Sequence, residues 1–94
     1  MKEGRRSNRI PKRIEAMLYI MNHCFPITIR NISATGLCAS IQATIPLGTR
    51  CTITFTHSTP HITLQGLVAR YRSNEVGIVF RNLGEEQKQF LRKL

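Results

Sequence analysis

From residue 13 to residue 80 the chain alternates apolar and polar side chains at a period of two, in short runs broken by turn-forming residues. Successive side chains point to opposite faces only in a strand, so this pattern excludes a helical body. Ile14, Ala16, Leu18 and Ile20 alternate with Glu15, Met17, Tyr19 and Met21, giving a first strand with two rather apolar faces. Phe25, Ile27 and Ile29 repeat the spacing against Thr28 and Arg30, and Pro26 suits a strand start or an edge. Leu37, Ala39 and Ile41 follow, then Cys51, Ile53 and Phe55 set against Thr52, Thr54 and Thr56. A fifth run passes from Ile62 and Leu64 to Tyr71, with Gly66 marking a bulge or bend, and Val76, Ile78 and Phe80 form the sixth.

Turn signals separate these runs: residues 31–36, Pro46-Leu47-Gly48, His57-Ser58-Thr59-Pro60 and Arg72-Ser73-Asn74-Glu75. After Gly84 the pattern changes. Glu85 and Glu86 suit a first helical turn and Arg92 and Lys93 a last one, with Phe90, Leu91 and Leu94 as a docking face. The expected fold is therefore all-β: a small six-stranded antiparallel β-barrel with a flexible basic N-terminal arm and a short C-terminal helix. Closure would leave no strand edge exposed. One domain spans 1–94, divided into an arm at 1–12, a barrel at 13–82 and a helix at 84–94.

Charge narrows the function. Fourteen Lys and Arg stand against five Asp and Glu, a formal net charge of +9, which calls for an anionic partner. Lys2, Arg5, Arg6, Arg9, Lys12 and Arg13 crowd the first thirteen positions, so the anion site is local rather than a basic face running round the molecule. Three cysteines without CxxC spacing suggest neither a disulfide framework nor zinc. His57 and His61 lack nearby carboxylate or cysteine partners, and no Ser/His/Asp arrangement of a recognisable kind is present. No apolar run approaches the about 20 residues that span a bilayer, and a soluble cytoplasmic protein is expected.

Two segments carry the binding chemistry. Arg5-Arg6-Ser7-Asn8-Arg9 clusters three guanidinium groups, whose planar forks suit phosphate oxygens and the O6/N7 edge of guanine. Asn31-Ile32-Ser33-Ala34-Thr35-Gly36 offers an amide, hydroxyls and backbone N–H groups in a short turn closed by glycine, which is expected at positive φ. Asn31 and Ser33 also suit an ordinary Asx or ST turn, a role compatible with binding. RRxxR, followed after about twenty residues by (D/N)xSxxG, resembles the PilZ domain family, bacterial receptors for cyclic di-GMP. Leu47-Gly48-Thr49, Leu64-Gln65-Gly66-Leu67-Val68-Ala69-Arg70 and Val76-Gly77-Ile78-Val79-Phe80 are similar to further family segments, so the resemblance covers nearly the whole chain.

The resemblance implies that Arg5 and Arg9, with Arg6 as the additional arginine, hold guanine and phosphate groups. Asn31 takes the Asp/Asn position, Ser33 the serine and Gly36 the closing glycine. Asparagine keeps an acceptor for a guanine N–H but gives up the charge-assisted contact of aspartate. Arg70 and Arg72, at the exit of the fifth run, are candidates for the border of the site. No catalytic, metal or cofactor residue is implied. The expected role is a non-enzymatic receptor that couples cyclic di-GMP to a downstream protein partner, as a monomer or a ligand-dependent dimer. One nucleotide or a stacked pair is possible per chain, and Gly4 before the RxxxR run leaves this open. The alternatives are a PilZ-fold adaptor that binds no nucleotide, as in some type IV pilus components, and a small basic barrel for nucleic acid. The last needs exposed aromatics along a basic groove, whereas only 6% of residues are aromatic and most fall at core-like positions.

Overall fold

A computed structural model describes residues 10–56 and 62–94. Six strands are found among them: β1 (Ile10–Ile20), β2 (His23–Ile32), β3 (Gly36–Ser40), β4 (Arg50–Phe55), β5 (Thr63–Arg72) and β6 (Glu75–Arg81). One helix, α1 (Glu85–Arg92), follows. All neighbouring strands are antiparallel, and the sheet closes in the order β1-β2-β3-β6-β5-β4. The barrel is thus two three-stranded meanders, β1–β2–β3 and β4–β5–β6, joined along β1·β4 and β3·β6. The six-stranded barrel and terminal helix match the reading from alternation. The proposed hairpin at His57–Pro60 and the pair His57 and His61 lie outside the described residues.

Alternation builds the core. Ala16 and Leu18, Ile27 and Ile29, Leu37 and Ala39, Cys51, Ile53 and Phe55, Leu64 and Val68, and Val76 and Ile78 are all buried. Ile41 and Ile45 join them from the segment between β3 and β4, and no polar or charged residue is buried among the described residues. Pro26 pairs with Met17 of β1 and lies beyond the stretch of β2 that pairs with β3, a one-sided position that tolerates proline. Ser73 and Asn74, both at positive φ (51° and 62°), form the tight two-residue turn between β5 and β6. Helix α1 docks through Leu91 and through Phe90, whose ring meets Phe55 edge-on at 4.9 Å between centroids. Its start is tied by the Gly84 N–H, which donates to Gln87 Oε1 at 2.7 Å.

Three departures from regular pairing decide where polar side chains point. Register shifts fall between Pro11 and Ile14 in β1, between Ile29 and Asn31 in β2, and between Val68 and Arg70 in β5. In β2 the buried positions run 27, 29, 32, so Arg30 and Asn31 both leave the inward face. In β5 they run 64, 66, 68, after which Ala69 and Arg70 are both exposed. Gly66 was expected to mark the β5 irregularity, but the bulge lies three residues later. Gly66 itself pairs regularly with Cys51 and Phe80, and a Cβ there would collide with the Ile78 side chain. Strand β1 also starts at Ile10, three residues before the alternation that begins at Arg13.

Candidate functional site

Residues 31–36 were expected as one turn. Asn31 and Ile32 instead end β2, Gly36 opens β3, and only residues 33–35 form the connection. Ser33 organises it. The Ser33 N–H donates to the Gly36 carbonyl at 2.8 Å, and the Thr35 N–H donates to Ser33 Oγ at 3.2 Å. The Ser33 and Thr35 hydroxyls also lie 3.2 Å apart. The Phe80 N–H donates to the Thr35 carbonyl at 2.9 Å, anchoring the turn to β6. Ser33 is therefore a turn-forming residue in its own right, partly exposed beside its neighbours.

Gly36 is not at positive φ, contrary to expectation; among the described glycines Gly48 alone is. Close approach requires it instead. A Cβ at Gly36 would run into the carbonyl oxygen of Ile78 and stand 3.3 Å from Val79 Cα, both backbone atoms of the paired strand. The glycine lets β3 and β6 close tightly beneath the turn.

The bulges align one outward row across four strands, Asn31, Cys38, Gly77 and Arg70, each the register partner of the next, and the backbone of Pro11 in β1 pairs with Asn31. Gly77 has no side chain to fill its place in the row, and Arg70 fills it. A Cβ on Gly77 would stand 3.3 Å from Arg70 Nε, so the arginine lies across this strand. Its Nη2 reaches Cys38 Sγ at 3.7 Å. The guanidinium is thereby carried two strands along the row, to within about one strand spacing, roughly 5 Å, of the strand bearing Asn31. Arg72 stands on the next row opposite Glu75, and Arg70, Arg72 and Cys38 line a shallow depression of about 370 Å³.

The pairing of Ile10 with Ile32 brings β1 to the end of β2 where the Ser33 turn begins. The described part of β1 thus begins beside that turn. Arg5, Arg6 and Arg9 themselves lie outside the described residues. The structure thus gathers Asn31, Ser33 and Gly36 on one surface and adds Arg70, which sequence reading left open, and Cys38 and Gly77, which it missed. The signal for Gly77 was its place in a strand run where a side chain would ordinarily pack; the β5 bulge that turns Arg70 outward left no trace in the alternation. Chemically, the surface offers a guanidinium, an amide and a hydroxyl-bearing turn, a combination able to hold an anion. Among the described residues no three or more His, Cys, Asp or Glu come together as a metal set, and no helix is long and apolar enough to cross a membrane.

Comparison with known proteins agrees with this fold. The family model described as PilZ domain matches residues 3–94. Among solved structures, the PilZ domain of CeSA from a cellulose-synthesising bacterium is similar with a TM-score of 0.76, at 15% identity over 93% of each chain. The Bacillus subtilis inhibitor of motility, MotI/DgrA, is similar with a TM-score of 0.76 at 13% identity. That match covers 98% of this chain and 49% of the other, so the chain spans about half of that protein. No curated protein matches in sequence. With a family model covering nearly every residue, and the barrel found in PilZ structures, the chain belongs to the PilZ domain family.

Proposed function

We propose that the protein is a cytoplasmic bacterial receptor for cyclic di-GMP that passes occupancy on to a protein partner and catalyses no reaction. PilZ domains are known as receptor and effector domains for this nucleotide. The observation that carries the reading for this chain is the pairing of Ile10 with Ile32 and of Pro11 with Asn31. It sets the strand that follows the arginine-rich segment in sequence beside the surface bearing Asn31, Ser33 and Gly36. In this reading Arg5, Arg6 and Arg9 supply the cations for the two phosphates and forks for the guanine edges. The Asn31 carbonyl accepts from a guanine N–H, the Ser33 turn supplies neutral donors, and Arg70 offers a flat cationic face from the opposite side. Occupancy changes the surface at this end of the barrel, and a partner reads that change.

Isothermal titration calorimetry with cyclic di-GMP, on the native protein and Arg9→Ala with GMP as control, tests the reading. Expected is binding at micromolar or lower concentration, with one or two nucleotides per chain, weakened at least tenfold in the variant. Loss of one charge-assisted contact costs on the order of 1.5–3 kcal/mol. Absence of heat at two temperatures from folded native protein would overturn it in favour of an adaptor that binds no nucleotide.

A further inference from the structure

A second outward row crosses the barrel at its other end. Tyr19, Thr52, Gln65 and Arg81 are successive register partners on β1, β4, β5 and β6. Arg50 stands two residues before Thr52 on the same face of β4. With Met21 they line a groove of about 310 Å³ that contains no carboxylate. Gln65 and Arg70 lie five residue steps apart on β5, about 16 Å of strand, so this groove is distinct from the surface around Asn31.

Two observations bear on what the groove can hold. Arg50 and Arg81 face it without an ion pair or hydrogen bond to any described residue. Met21 is 92% exposed and sits at φ 53° in the tight turn between β1 and β2, where glycine, asparagine or aspartate is the usual occupant. A long apolar side chain held in a disfavoured conformation in full contact with water helps neither folding nor solubility. Asn82, also on the groove, has positive φ as well (54°). Tyr19 adds a hydroxyl that the hydrogen bond and charge interaction with the Cys24 side chain keep protonated above its ordinary value.

We infer that this groove docks an acidic peptide segment of a protein partner, two carboxylates meeting Arg50 and Arg81 while an apolar side chain rests on Met21. A closed barrel offers no strand edge for β-augmentation, so such a segment is held by side chains alone. Two cations suit paired carboxylates; a nucleic-acid strand asks for a longer cationic track with stacking aromatics, and an anionic bilayer for a cluster of four or more. The surface stands independently of nucleotide binding.

The probe is an acetylated, amidated Glu-Glu-Leu-Glu-Glu pentapeptide, titrated into the full-length protein and followed by amide chemical shifts. Shifts are expected at residues 19–22, 50–52, 65–66 and 81–82, and not at 31–38. Arg50→Ala with Arg81→Ala should weaken binding at least tenfold while leaving cyclic di-GMP titration unchanged. Met21→Gly should keep or raise Tm, since glycine accepts that φ freely, yet weaken the peptide several-fold. Unchanged peptide affinity in these variants, no shifts at millimolar peptide, or a Lys-Lys-Leu-Lys-Lys peptide binding equally well would each overturn the assignment. So would tighter engagement of the same amides by phosphatidylglycerol vesicles or oligo-dT. Failure of nucleotide to bind bears on the other end of the barrel only.

Discussion

Two glycines of this barrel are present for opposite reasons, and alanine substitution separates them. At Gly36 the added Cβ meets backbone atoms of Ile78 and Val79, which cannot yield without parting β3 from β6. Gly36→Ala should therefore destabilise by about 2 kcal/mol, a fall of about 8–16 °C in Tm for a domain of this size. At Gly77 the nearest atoms belong to the Arg70 side chain, which can swing away. Gly77→Ala should leave Tm within a few degrees but lift the guanidinium off Cys38, and cyclic di-GMP affinity should fall several-fold by calorimetry. Equal losses of stability in the two variants would refute the distinction. Cys51 gives a third test at the same scale. Burial pushes its thiol up to about 11, so the folded chain keeps a proton that the unfolded chain releases at its ordinary pKa near 9. The resulting stability is fully present below pH 9 and is lost as pH rises towards 11. Across that window, Tm of the native protein should fall more steeply than that of Cys51→Val, where this proton is absent. At pH 8 the exposed Cys24 should alkylate well before Cys51, as read by mass spectrometry.

Among the elements, strands with a buried face were legible because a period of two leaves its mark in every second residue; Cys51, Ile53 and Phe55 against Thr52 and Thr54 show it plainly. The bulges were not, because one extra residue shifts phase without changing composition. Ala69 carries no turn or breaker signal, yet the shift beside it decides that Arg70 faces outward. The same limit hid the roles of Gly36 and Gly77, which depend on a neighbouring strand far away in sequence. Helix α1 was legible from its charges and its apolar face, and its contribution can be measured. Phe90 is partly buried and packs edge-on against Phe55, so Phe90→Ala should cost about 2–3 kcal/mol. The urea midpoint should fall accordingly with the slope unchanged, because the barrel still unfolds as one unit. A midpoint within error of the native value would mean that α1 rides on the barrel without supporting it.

For the molecule as a whole, the excess of fourteen basic over five acidic side chains sets how binding should respond to salt. A polyanionic strand carries condensed counterions, and each phosphate neutralised releases some of them, so its affinity falls by orders of magnitude as salt rises. Cyclic di-GMP has two charges and no such atmosphere. Its attraction to a +9 protein is long-ranged only at low ionic strength, and its close contacts with guanidinium groups are screened much less. Raising NaCl from about 50 to about 500 mM shortens the screening length from roughly 14 to roughly 4 Å. That removes the field of the distant lysines and arginines but leaves the contacts at the site. The dissociation constant for cyclic di-GMP should therefore rise by about tenfold or less over this range, most of it in the association rate. Any adventitious binding of single-stranded DNA should be abolished over the same interval. Stopped-flow titration at several salt concentrations reads both quantities. A loss of a hundredfold or more for the dinucleotide would mean that the protein's overall charge, rather than contacts from Arg5, Arg6 and Arg9, holds the ligand.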